Sequence, residues 1–189
     1  MLKHIKLLFV LFILLQLFGC PVAIVGGGLG GMEVAADRRT SGTMLEDQNI
    51  ELKAILKMQK IEEKFNTNIV SYNENVLLLG QVPNQELKQK IENEIKSIAN
   101  VKSVTNELII GPISSASRRA EDTLITSNVI ARFFKENKFS PFNIKVVTED
   151  KVVYLMGIVS EKEAKEAEDI TKNTSKVTKV VKLFEYLKN

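Results

Sequence analysis

The sequence predicts an α+β protein of two tandem units, each with two helices packed on a small mixed β-sheet. Three observations carry this expectation. A Gly-centred apolar run occurs twice, as Val76-Leu77-Leu78-Leu79-Gly80-Gln81-Val82 and as Val153-Tyr154-Leu155-Met156-Gly157-Ile158-Val159, with Gly80 and Gly157 77 residues apart. Around both copies the apolar pattern alternates between strand-like and helix-like periods in the same order. The first 19 residues read as a leader, so the rest of the 189-residue chain has room for one mid-sized domain or two small ones.

In chain order, residues 1–19 come first. Lys3 and Lys6 precede a nine-residue apolar run, residues 7–15, and Gly19 supplies a small residue before Cys20. This is the layout of a secretory signal peptide. The alternative is an uncleaved anchor, but the run is shorter than the roughly 20 residues a spanning helix needs. Leu17-Phe18-Gly19-Cys20 resembles the lipobox of bacterial lipoproteins, which implies cleavage before Cys20 and acyl chains on that residue. Each buried methylene of such chains contributes about 0.8 kcal/mol of membrane affinity. Pro21 stands where inner-membrane retention favours Asp, so the resemblance implies an outer-membrane destination facing the periplasm.

Residues 20–46 read as a lipid-anchored, Gly-rich tether. Gly26, Gly28 and Gly31 fit the spacing G-x-G-x-x-G, but Cys20 lies six residues upstream of Gly26 and no helical pattern follows, so a dinucleotide site is not expected. The first unit spans 47–111. It opens with a helix around 50–64, continues with β patterns at 68–72 and from Val76, then a charged helix, and ends in Val101-Lys102-Ser103-Val104 and a β run at 106–110. Asn73-Glu74-Asn75 is a hairpin turn. Residues 112–120 read as a linker, and 121–188 repeat the pattern with Glu149-Asp150-Lys151 as the turn and Val177-Thr178-Lys179-Val180 before the last strand. The two glycines suit close packing or a bulge rather than chemistry.

Composition removes several classes of function. The chain is 44% hydrophobic and 26% charged, with a formal charge of +3. Loss of Lys3 and Lys6 with the leader leaves 24 basic against 23 acidic residues, which removes the general electrostatic case for nucleic acid. His4 is the only histidine and Cys20 the only cysteine, so the mature chain lacks the inventory for Ser-His-Asp or Cys-His catalysis and for the usual zinc or copper sites. Carboxylates are plentiful but sit in lysine-interleaved runs such as Glu161-Lys162-Glu163-Ala164-Lys165-Glu166, which read as solvated helix faces. Neither an enzyme, a metal site nor a cofactor is expected.

The apolar-apolar-Gly-x-Val strands, the acidic helix starts and the later Val-x-x-Val resemble the BON domain, present twice. With the lipobox, the tether and Asp37-Arg38-Arg39-Thr40-Ser41-Gly42-Thr43, the whole arrangement is similar to that of dual-BON outer-membrane lipoproteins. The resemblance implies a non-enzymatic periplasmic protein that binds phospholipid and supports outer-membrane integrity.

One helix can be examined for that role. It is expected to start near Asp122 or Thr123 and run to about Glu136. At about 100° per residue, Ile125, Val129 and Phe133 form a core stripe, while Leu124, Ser127, Ile130, Ala131 and Phe134 fall on the other side. Arg118, Arg119, Arg132, Lys135 and Lys138 surround this second face, diluted by Glu121, Asp122 and Glu136. Such a face suits contact with an anionic membrane; the alternative is packing against the first unit. The family resemblance implies lipid contact by this helix, at Leu124 and Phe134; with their neighbours on the same face, Leu124, Ser127, Ile130, Ala131, Phe134 and Lys135 are the candidate site for anionic phospholipid. The rival is a lipid-tethered scaffold that docks envelope assembly proteins. Ile50, Leu52, Ala54, Ile55, Leu56, Met58 and Ile61 spread around more of the first unit's opening helix, and the excess is expected to serve core and interdomain contact. The sequence leaves the oligomeric state open.

Overall fold

The structure is a computed structural model and describes residues 37–188. The leader, Cys20 and the glycines of the tether lie outside the described residues.

Each lobe begins with a long helix whose cap is written in a hydroxyl residue. Helix α1 (Ser41–Met58) starts where the Thr40 side chain accepts from the Thr43 N–H, and it buries Asp47, Ile50, Ala54 and Met58 along one face. Strands β1 (Asn66–Tyr72) and β2 (Asn75–Val82) form an antiparallel hairpin. Asn84 caps α2 (Gln85–Lys96), which buries Leu87, Ile91 and Ile95. The chain then returns parallel to β2 as β3 (Ser103–Asn106) and β4 (Ile109–Ile110).

The second lobe repeats this. Ser115 caps α3 (Ala116–Glu136), which ends at Asn137 in the left-handed conformation. After a 3-10 turn at Pro141–Asn143, β5 (Ile144–Glu149) and β6 (Val152–Val159) form the hairpin. A Ser160/Glu163 capping box opens α4 (Glu161–Lys172), and β7 (Lys179–Tyr186) lies parallel to β6.

Three expected boundaries are corrected. Helix α1 starts at Ser41, inside the stretch read as tether, and ends at Met58 rather than near residue 64. Helix α3 starts at Ala116, inside the expected linker. Asp122 is therefore not a helix cap but a buried side chain in the helix body.

Asp122 and its counterpart Asp47 share a task that sequence reasoning missed. Both residues of each hairpin turn have positive φ, Asn73 and Glu74 in the first lobe and Asp150 and Lys151 in the second. That geometry aims two backbone N–H groups at the neighbouring helix. Asp47 accepts from Asn73 N at 2.9 Å and Glu74 N at 2.8 Å, and Asp122 from Asp150 N at 2.9 Å and Lys151 N at 2.8 Å. A buried carboxylate thus ties each long helix to its own hairpin.

Successive strand residues face opposite layers. Val76, Leu78 and Val82 pack with α1 and α2 in one core, and Val153, Leu155 and Val159 with α3 and α4 in another. The alternate set, Val70, Tyr72, Leu77 and Leu79, packs on Val147, Tyr154 and Met156 of the other lobe. The described residues therefore form four layers, helix–sheet–sheet–helix, with α1 and α3 on opposite outer layers.

A strap at 37–40 crosses this seam. Arg38 makes a fork on Glu163 at 2.7 and 2.8 Å and donates to Ile158 O at 2.9 Å. Its hydrogen bonds hold the Glu163 carboxyl down at about 2. Arg39 bonds Asp37 and Asp47 and lies 4.0 Å above the Tyr72 ring centroid. Burial, with the Asp37 charge adding to it, pushes the Tyr72 phenol up to about 12.

The repeated glycines serve close approach of strands. Gly80, at φ +116, lies opposite Thr67, and a Cβ there would overlap the Asn66 carbonyl. Gly157 lies opposite Ile144, and a Cβ would overlap the Asn143 carbonyl. Backbone is the obstacle in both cases, so it cannot rotate aside. Gly80→Ala and Gly157→Ala are each expected to cost about 2–4 kcal/mol in urea unfolding, with Gly80→Ala the worse because its φ is also strained.

Candidate membrane-facing helix

Helix α3 is held by its inner stripe. Ile125, Val129 and Phe133 are buried among β5, β6 and α4, and Phe139 meets Phe133 edge-on at 4.9 Å. At about 100° per residue the opposite side must face outward. Leu124 is 63% exposed, Phe134 51% and Ile130 37%, and Ser127, Ala131 and Lys135 are exposed beside them. All six candidate residues are thus on the same outer surface. None belongs to the apolar cluster that joins the lobes, and the apolar members stay exposed; Ser127 alone, at the edge, lines an open cleft with Asn66, Thr67 and Asn68 of the first lobe.

Two details make this surface more apolar than its residue names suggest. Ser127 donates its hydroxyl to Thr123 O at 2.9 Å, and Thr123 donates to Arg119 O at 2.9 Å, so both donors are satisfied along the helix. Phe142, from the turn before β5, meets Phe134 edge-on at 5.5 Å and extends the apolar patch. Sequence reasoning missed Phe142 because it lies eight residues beyond Phe134 and outside the helix.

The expected basic border is largely engaged. Arg132 donates to Ile170 O at 2.9 Å and Thr174 Oγ1 at 3.1 Å and pairs with Glu136 at 2.8 Å, which fastens α3 to the end of α4. Arg119 donates to Ser114 O, Arg118 lies 3.6 Å from Asp150, and Lys138 pairs with Glu166 at 2.9 Å. Lys135 has no ion-pair partner among the described residues and remains on the border of the patch. The exposed pairs of Arg118 and Lys138 are weak enough to exchange for a phosphate.

Helix α1 carries a comparable surface. Leu45, Leu52 and Leu56 are 50–59% exposed on the side away from Ile50 and Ala54, and Ile55, 49% exposed, lies on the flank beside Thr67 and Asn68. The expectation that Leu52, Ile55 and Leu56 serve interdomain contact is therefore corrected, because the lobes meet mainly through their sheets and these side chains stay exposed, while the helix reaches the second lobe through Glu51 and Lys145. Among the described residues, no helix is long and apolar enough to cross a membrane.

The BON domain model matches residues 47–112 and 121–188. The chain belongs to the BON-domain family. It is 37% identical over 189 residues to the outer membrane lipoprotein DolP of Haemophilus influenzae, covering 98% of this chain and 97% of that one. It is also 27% identical over 154 residues to a 21 kDa hemolysin of Actinobacillus pleuropneumoniae, covering 80% of this chain and 79% of the relative. The dual-BON architecture read from the repeated Gly strand is thus shown. The match leaves out Thr40, the cap of α1, and Ser115, the cap of α3, both of which the fold uses.

Because Leu124 and Phe134 lie outside the buried core, charge there should leave the fold intact. Leu124→Glu is expected to change unfolding free energy by no more than about 0.5 kcal/mol in urea titrations, and Phe134→Glu, which also loses the edge-on contact with Phe142, to cost about 0.5–1.5 kcal/mol, whereas Phe133→Ala should cost about 3–5 kcal/mol.

Proposed function

We propose that the chain is an outer-membrane lipoprotein held in the periplasmic leaflet by acyl chains on Cys20, and that its second BON domain binds anionic phospholipid through the outer face of α3. The role is binding in support of envelope integrity, without catalysis. The observation that carries this reading is the continuous exposed surface of Leu124, Ile130, Ala131 and Phe134, bordered by Lys135, on a helix fixed by three buried residues. Apolar side chains can enter the acyl boundary while the cations remain at headgroup level. The relative named as an outer membrane lipoprotein supports both the location and the anchor. Anchor and helix on one molecule make the second contact effectively intramolecular, so a weak face suffices.

A second reading is favoured by α1. Its exposed Leu45, Leu52, Ile55 and Leu56 lie on the opposite outer layer from α3, so one flat bilayer cannot receive both faces. That leaves a surface for envelope assembly proteins, and in the scaffold reading this is the main contact.

Co-sedimentation of residues 21–189, which lack the acylated residue, separates the two. Binding to phosphatidylglycerol vesicles but not to phosphatidylcholine vesicles is expected, lost by tenfold or more with Phe134→Glu in line with the removal of a buried aromatic anchor. Absence of binding to either vesicle would leave Cys20 as the membrane contact and favour the scaffold.

A further inference from the structure

The corner of the second lobe beside the start of α3 is basic, and the matching corner of the first lobe is not. Glu46 and Glu121 each precede their lobe's buried aspartate, and Glu74 and Lys151 each end a hairpin turn. Asn100 and Lys176 each adopt φ +70 ahead of the strand that returns along the hairpin. The repeat thus puts three side chains in the same places twice. In the first lobe Glu46 accepts from Asn100 Nδ2 at 3.1 Å, and Glu74 is taken by Lys102 at 2.7 Å. In the second, two lysines replace the amide and the acid and converge on one carboxylate. Lys176 Nζ lies 2.8 Å from Glu121 Oε1, and Lys151 Nζ lies 3.2 Å from Oε2.

Local backbone preference does not explain the lysine at 176. Residues other than glycine are uncommon at positive φ, and Asn is one of the few that adopt it readily. Lys176 forgoes the preference that Asn100 satisfies, and what it adds is a charge. One acid between two bases leaves a positive charge over, because Arg118 offsets the neighbouring Asp150 at 3.6 Å. The hydrogen bonds of Lys176 and Lys151 hold the Glu121 carboxyl below its usual range, so it is ionised at neutral pH. The two lysine side chains are 60% and 41% exposed, and ion pairs as open as these contribute little and exchange readily.

The place of this corner indicates what it exchanges for. Glu121 comes three residues before Leu124, about 60° around the helix, so the lysines stand at the edge of the exposed apolar face. Lys135 lies on the same flank, about 21 Å further along the helix axis. Resting on the reading that α3 meets anionic lipid, we propose that Lys151 and Lys176 take the phosphodiester of an anionic phospholipid, and that Glu121 holds their place when lipid is absent. A carboxylate and a phosphodiester each present two oxygens that share one negative charge. The two ammonium groups that divide Glu121 between them can therefore divide the phosphate in the same way. Binding exchanges one anion for another and returns Glu121 to water. Glu121 thus sets a threshold that an anionic surface passes, whereas a zwitterionic surface, whose phosphates carry their own cations, competes poorly.

The test is a charge cycle on residues 20–189 carrying Cys20→Ser, read by co-sedimentation with phosphatidylglycerol vesicles. Lys151→Gln and Lys176→Gln are each expected to weaken binding about fivefold, the contribution of one cation near an anionic surface. Glu121→Gln is expected to tighten it about fivefold in the parent and not at all once both lysines are replaced, because its effect runs through them. A general repulsion between Glu121 and the vesicle would give the same gain in both backgrounds and would overturn the proposal. Indifference to both lysines, with binding still lost in Phe134→Glu, would overturn the proposal and leave the α3 reading standing. No binding of the parent to these vesicles would overturn both. Amide NMR with soluble glycerophosphoglycerol and with inorganic phosphate separates the two sources of a phosphate. The glycerol phosphodiester is expected to shift Glu121, Lys151 and Lys176, whereas a response to inorganic phosphate alone would give the site to a free anion and overturn the assignment to lipid.

Discussion

Burial of both faces of both sheets governs the rest of this molecule. The two helices of each lobe cover one face of its sheet, and the second face carries Val70, Leu77 and Leu79 in one lobe and Val147, Tyr154 and Met156 in the other. Exposed, these would form a large apolar patch on each domain. Packed on each other, they remove it from water, each aliphatic or aromatic side chain contributing about 1.5–3 kcal/mol. The consequence reaches the function directly. Sheets in the middle force all four helices outward, and the faces of α1 and α3 that do not meet their own sheets have nothing in the described residues to cover them.

The seam is also polar where it needs to be. Tyr72 Oη donates to Asn143 O at 3.2 Å, Gln81 reaches Glu149, and Lys145 pairs with Glu51 at 3.2 Å. The 37–40 strap adds a bidentate bond from Arg38 to Glu163 of the second lobe and a stacked Arg39 in the first.

Much of the lobe plan was legible in the sequence. The Gly80 and Gly157 strands, the polar turns and the helix stripes at Ile125, Val129 and Phe133 follow from period and turn chemistry. The outward side of α3 followed from the same wheel. Three things were read wrongly or missed, each for a physical reason. Thr40 and Ser115 are ordinary caps whose helices open with polar turns, so the apolar period began too late to mark the starts. Asp122 resembles a cap residue in type, and its bond to a turn 28 residues away has no local signature. The sheet-to-sheet seam did leave a signal: Val76-Leu77-Leu78-Leu79 and Val153-Tyr154-Leu155-Met156 are continuous apolar runs, as strands buried on both faces must be. Reading them that way would have excluded the α1 and α3 faces from the interdomain contact.

The central claim is that one outer layer, α3, enters the bilayer while the other, α1, stays in water. The most direct measurement places single cysteines in the Cys20→Ser background at Leu124, Phe134, Leu52 and Leu56, labels each with an environment-sensitive fluorophore, and adds phosphatidylglycerol vesicles. The account predicts a blue shift and protection from aqueous quencher at 124 and 134, with no change at 52 and 56. An equal shift on α1, or no shift at 124 and 134 while the protein is bound, would contradict it.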